Sequence, residues 1–170
     1  KKNVIDPNIL MEKYGADTTR LFCLFAAPPE RDLEWNEQGV EGGYRFLNRI
    51  WRLAGSCMGF IKNAQPFQEN QDELERRFRD LYKKTHETIK KVTQDIEERF
   101  HFNTAISSVM ELVNLMTEVD IKENGTDYNT NEVSVMKFAL ESVILLLSPI
   151  VPHFSEALWS ELGHEESIIK

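Results

Sequence analysis

Cysteine is nearly missing from this chain. Cys23 and Cys57 stand far apart and outside any CxxC or Cys/His spacing, which excludes a disulfide framework and a cysteine-built zinc site. Free thiols fit a reducing, cytoplasmic compartment. Long apolar runs are missing too. The stretch VILLLSPIVP from Val143 is broken by Ser148, Pro149 and Pro152 well short of membrane-spanning length, and no signal-peptide pattern opens the chain. There is no GxGxxG, no GxxxxGKS/T and no GxSxG, so neither a phosphate loop nor a nucleophile elbow is expected. The four histidines lack convergent partners: His86 falls on an exposed helix face, His101 at a helix junction, His153 beside Pro152 and His164 near the end. Each reads as structural or surface. The neighbouring pairs Glu97/Glu98 and Glu165/Glu166 point in different directions on a helix and read as solvated surface. No catalytic residue and no metal ligand is therefore expected.

A surplus of positive charge is also absent. The net charge of -8 excludes a chain that coats nucleic acid indiscriminately. One window departs from that total. LERRFRDLYKKTHETIKK, from Leu74 to Lys91, holds seven basic residues against three acidic ones, so the acidity lies elsewhere.

What the chain does have, with 41% apolar residues in 170, is enough to build a core. Its apolar positions recur at three and four, the helical period, and glycine and proline gather at the separators. The expected fold is all-α. A short helix starts with Pro7 at its first position and stops at Gly15, and another runs from about Asp17 to Ala26. After Asn36, an N-cap, a helix about 40 Å long is expected to end near Ala64, before Pro66. Its expected core seam is Val40, Tyr44, Leu47, Trp51, Ala54, Met58 and Ile61. A second long helix is expected from about Asp72 to Arg99, with Leu74, Phe78, Leu81, Thr85, Ile89, Val92 and Ile96 inward. Asn103 is expected to cap a third, IKENGTDYNTN to form a surface loop, and a fourth helix to run from about Asn131 to Ser148 as the central element. A last short helix follows Pro152. Short polar connections between long helices imply an antiparallel bundle. Residues 1–35 do not fit it and form a separate segment, with the bundle at 36–170.

Two basic sets are candidates for phosphate contact. Arg76, Lys83 and Lys90 are seven apart and stack opposite the apolar seam, with Lys84 in a flanking row beside them; an ordinary solvated face gives the same pattern. Arg45, Arg49 and Arg52 project on one side of the first long helix beside its seam. Packing there would fix their guanidinium groups for RNA phosphates.

The residues also carry a resemblance. NVIDPNILMEKYGADTTRLFCLFAAPPERDLEWNEQGVEGGYRFLNRIWRL closely resembles the segment after the KMSKS signature of bacterial-type leucyl-tRNA synthetases, class I enzymes of the Leu/Ile/Val/Met subgroup. Asp6, Pro7, Tyr14, Gly15, Ala16, Asp17 and Arg20 match a pattern shared across that subgroup, while LFAAPPERDLEW and GVEGGYRFLNRIW look leucyl. FNTAISSVMELVN and LLLSPIVPHFSEALWSELG resemble the family's helical domain. The likeness is weakest from about Lys62 to Val92 and near Gly125.

The resemblance implies a short stem-contact segment followed by a helix bundle of the anticodon-binding type. It implies a parent enzyme that attaches leucine to tRNA(Leu) through leucyl-adenylate, using ATP with magnesium, while the parent's active site lies upstream and this part is inactive alone. The expected partners are tRNA(Leu) and the parent's catalytic domain, not DNA or a membrane. Asp17, Arg20 and Trp35 are expected at the structural junction, with Pro28 and Pro29 stiffening it and Trp35 anchoring the segment to the bundle. The bundle is expected to touch the tRNA backbone at its inner corner and not the anticodon. An isoleucyl or valyl counterpart, for which APPERDLEW fits poorly, and a free-standing helical interaction module are the alternatives.

Overall fold

The computed structural model describes residues 6–26, 36–67, 74–119 and 130–168, and the regular secondary structure among them is α-helix alone. Seven helices are described: α1 (Pro7–Tyr14), α2 (Ala16–Ala26), α3 (Glu37–Ile61), α4 (Arg76–Arg99), α5 (Phe102–Val119), α6 (Thr130–Leu147) and α7 (Pro152–Glu161). The all-α expectation holds. The IKENGTDYNTN loop up to Asn129, with Pro28, Pro29 and Trp35, lies outside the described residues.

Local chemistry sets most of the boundaries. Asp6 caps α1 by accepting the Asn8 N–H at 2.9 Å, and Gly15, at φ 84, ends it where a side chain would be strained. Asn36 caps α3 in the same way through the Gln38 N–H at 3.0 Å. α3 stops at Ile61, three residues before the expected end. Past that end, the Lys62 and Ala64 carbonyls take the Lys137 ammonium of α6 at 3.3 and 3.0 Å, a cap delivered from another helix. α4 begins at Arg76, after Leu74 and Glu75, later than expected. It turns into α5 through Phe100, which adopts left-handed geometry at φ 52, and His101. The Ala105 N–H then bonds to the His101 carbonyl, so Asn103 sits inside the first turn of α5 and is not its cap.

With two linking residues α5 must fold back along α4, and the Lys84–Glu111 ion pair at 2.7 Å crosses between them. α6 packs against α3, α4, α5 and α7, and Val135, Met136, Ala139, Leu140, Val143 and Ile144 are buried along it. Leu21 of α2 joins the same core.

The seam of α3 differs from expectation. Its buried residues at a four-and-three rhythm are Val40, Gly43, Leu47, Ile50, Ala54, Cys57 and Ile61. Val40, Leu47, Ala54 and Ile61 belong to both readings, but Tyr44 and Trp51 are 46% and 45% exposed and Met58 is half-buried. The shift has a steric cause: α2 lies against α3 closely enough that a Cβ at Gly39 would stand 2.9 Å from the Phe22 ring and one at Gly43 would stand 3.6 Å from Leu21. At this end of α3 glycines therefore face α2, and Tyr44 is turned out. In α4 the same slip puts Thr88 and Asp95 inside while Ile89 and Ile96 are half-buried.

Candidate nucleic-acid interface

α3 displays two surfaces on either flank of its exposed strip. On one flank Arg45, Arg49 and Arg52 open onto a groove of about 480 Å³, with Phe25, Phe46 and Met110 among its walls. Gly42 forms part of its floor, and no atom lies within 4 Å of where its Cβ would stand. The arginines are held differently. Arg45 is 72% exposed and reaches Glu41 only at 3.9 Å. Arg52 directs Nε to the Asn48 carbonyl at 3.4 Å. Arg49 is half-buried, its guanidinium 5.7 Å from the Phe46 ring centre, and its buried Nε meets no acceptor among the described residues. Packing against Phe46 restricts the Arg49 guanidinium, so this planar donor loses less freedom than an open side chain when it meets an anion in the groove.

The other flank carries a more apolar groove of about 520 Å³. Tyr44 and Trp51 line it, facing Tyr14 from α1 and Phe154 from α7. The two exposed rings are braced: Tyr44 by the Tyr14 ring in an edge-on contact at 5.9 Å, Trp51 by Phe154 at 6.0 Å. Reading the sequence for core seams hid these residues. The signal that finds them is an aromatic placed directly before an arginine twice, Tyr44-Arg45 and Trp51-Arg52, at a spacing of seven.

Asp17 closes one end of that groove. Its side chain is 11% exposed and accepts from the Phe154 N–H at 2.7 Å, from Arg20 Nη1 at 2.7 Å, and lies 3.1 Å from His153 Nδ1. Phe154 is in the first turn of α7, whose own N-cap residue, Val151, supplies no side-chain bond. The carboxylate of α2 thus does for α7 what a local Ser or Asp would do. Arg20 and Asp17 therefore meet α7 directly; Trp35 lies outside the described residues.

The basic residues of α4 do not converge with the arginines of α3. Arg76 and Lys83 are exposed and loosely paired with Asp80 and Glu87, each at 3.8 Å, beside a shallow depression that includes Arg79. Lys90 is exposed on the same side. Lys84 is turned toward α5 and held by Glu111. Among the described residues no three His, Cys, Asp or Glu side chains are grouped to hold a metal ion, and no helix is long and apolar enough to cross a membrane.

Comparison with known proteins places these surfaces in context. Residues 79–170 match the family model described as the anticodon-binding domain of tRNA ligase. The chain is 56% identical over 170 residues to a leucine–tRNA ligase of Desulfatibacillum aliphaticivorans, covering all of this chain and 19% of that protein. It is 57% identical over 169 residues to the leucine–tRNA ligase of Desulforapulum autotrophicum, covering 99% and 19%. It spans about a fifth of the length of such relatives. Among solved structures it resembles LeuRS of Agrobacterium radiobacter K84, determined as a ternary complex with tRNA and LeuAMS, at TM-score 0.82 and 29% identity over 98% of this chain and 20% of that one. A methionyl-tRNA synthetase of Mycobacterium tuberculosis shares the fold, at TM-score 0.67 and 12% identity over 93% of this chain and 34% of that one.

Proposed function

The chain belongs to the family of anticodon-binding domains of tRNA ligases, and from that premise we propose that it is the tRNA-positioning helical part of a leucine–tRNA ligase. The whole ligase would join leucine to tRNA(Leu) at the expense of ATP, with magnesium and the reacting groups supplied by its other parts. The acidic side chains described here do not group as magnesium ligands, and no chemical step is assigned to them. Isoleucyl and valyl ligases are not favoured, since the relatives at 56% and 57% identity are leucine ligases. A free-standing interaction module is not favoured either.

The observation that carries the reading is the single groove shared by Arg45, Arg49 and Arg52. Three guanidinium groups in one depression suit a run of backbone phosphates, which position RNA without reading its sequence. The proposed contact is accordingly the tRNA backbone at the inner corner of the molecule and not the anticodon, and the proposed partner is RNA and not DNA. We further propose a division of labour at residue 35, the stem-contact segment meeting the catalytic domain and the bundle meeting tRNA. Arg76, Lys83 and Lys90 would supply a weaker, more salt-sensitive second contact, and Lys84 the least, because Glu111 already occupies it.

The test is tRNA(Leu) binding by the 170-residue chain across a salt series. Replacing all three α3 arginines by alanine should lower the log–log salt slope by about two to three, at roughly 0.7–0.9 for each phosphate no longer neutralised. In a full-length ligase the same change should raise the KM for tRNA and leave leucine-dependent ATP exchange nearly intact. An unchanged slope, or collapse of ATP exchange, would show these arginines to be scaffold.

A further inference from the structure

We infer that the aromatic groove beside the arginine row is a second half of the same RNA surface, in which Tyr44 and Trp51 take an unpaired base or the flat face of a nucleotide while Arg45 and Arg52 hold the phosphates next to it. The inference rests on the tRNA reading above and names the chemistry of a surface that reading leaves unused.

Tyr44 and Trp51 are large rings left about half exposed on α3, where Phe46, Leu47, Ile50 and Leu53 are buried instead. They stand two helical turns apart, about 10 Å along the axis, and each is followed by an arginine that points to the neighbouring flank. Tyr44 is held by an edge-on contact with Tyr14 of α1 and Trp51 by a tilted contact with Phe154 of α7, so their open faces are set before any ligand arrives. Between them Asn48 spends its amide N–H on the Tyr44 carbonyl at 2.9 Å, which leaves the side-chain oxygen to accept from a base edge.

Charge favours RNA over an acidic or apolar peptide. Asp17, the one carboxylate among the groove's described lining residues, is occupied by Arg20, His153 and the Phe154 N–H. Arg52 has no carboxylate partner among the described residues, and the long Arg45–Glu41 contact is easily exchanged for a phosphate. Aromatic faces beside free arginines are the elements with which proteins hold unpaired nucleotides.

Four forms of the 170-residue chain test this against a tRNA(Leu) transcript over a salt series: wild type, Tyr44→Leu/Trp51→Leu, Tyr44→Phe/Trp51→Phe, and Arg45→Ala/Arg52→Ala, each checked for helix content and melting. Removing the flat faces with leucine should weaken binding about tenfold at every salt concentration while the salt slope stays unchanged, since stacking releases no counterions. The phenylalanine pair should bind within about twofold of wild type, because the π-faces remain. The arginine pair should lower the slope by about one to two. If the leucine pair binds like wild type while the arginine pair still lowers the slope, the inference is overturned, the tRNA reading stands, and the groove belongs to a protein partner. If no form binds the transcript, the tRNA reading fails and this inference with it.

Discussion

Replacing Asp17 by alanine should cost the chain about 2 kcal/mol of folding stability, a figure built from the bonds of one carboxylate. Its bond to the Phe154 N–H at 2.7 Å is the side-chain cap of α7, and loss of such a cap costs about 1 kcal/mol, up to about 2. Because Asp17 is nearly buried, no water replaces the missing oxygen readily, which places the cost toward the upper end. Arg20 is half exposed and its pair with Asp17 adds only about 0.5 kcal/mol. For a chain of this size about 2 kcal/mol lowers the melting temperature by roughly 4–8 °C. Asp17→Asn keeps an acceptor for the Phe154 N–H and gives up the charge, so about half the loss should remain. Urea unfolding followed through tryptophan fluorescence, with Trp159 reporting from α7, measures all three forms. A loss below about 0.5 kcal/mol for the alanine form would mean that packing of Leu158 and Leu162 alone holds α7 and that the capping argument is wrong.

The glycines of α3 should separate by sign. Gly42→Ala, with open space at its Cβ, should stabilise by about 0.5–1 kcal/mol, whereas Gly39→Ala, 2.9 Å from Phe22, should destabilise, and thermal melts of both decide it. Phe100→Gly removes a side chain from left-handed geometry at φ 52 and should stabilise by about 1 kcal/mol in urea unfolding, Phe100 being 63% exposed with little packing to lose. The native chain should titrate one thiol with a disulfide reagent, exposed Cys23, and a second, buried Cys57, only on unfolding. Partial burial pushes the Cys23 thiol up, so its labelling rate at neutral pH should fall below that of free cysteine and climb as pH rises through the raised value. Two thiols reacting at equal rates in the native chain would contradict this.

Period and punctuation carried the helices well. Pro7, Gly15 and Asn36 act where their residue types predict, and of the apolar run Val143, Ile144 and Leu147 are buried in the bundle while Leu145 is exposed. The phase of a helix is harder to read. On α3 the two candidate seams share every second member and differ by one residue in the rest, so hydrophobicity alone preferred Tyr44, Trp51 and Met58 to Gly43, Ile50 and Cys57. At Gly43 the deciding fact was the closeness of α2, which belongs to packing and not to any one window of sequence. The arginine row was legible by spacing, because Arg45, Arg49 and Arg52 fall on one side of any helix drawn through them. That Arg49 would have an unmet Nε while Lys84 would be taken by Glu111 was not, since both depend on partners chosen by the tertiary fold.

The cap that Asp17 lends to α7 also has a consequence for the order in which the chain acquires structure. A helix of 10 residues with no cap of its own has little reason to form before its distant partner is in place. The bond closes across 137 positions, among the most remote in the chain, and pairings of such separation form late because the intervening loop must be ordered first. On a ribosome α2 is made early and waits for Phe154 with its carboxylate in water. Asp17→Ala should then quicken unfolding and leave the folding rate nearly unchanged, so that the same carboxylate acts as a latch on the finished bundle and contributes nothing to its nucleus.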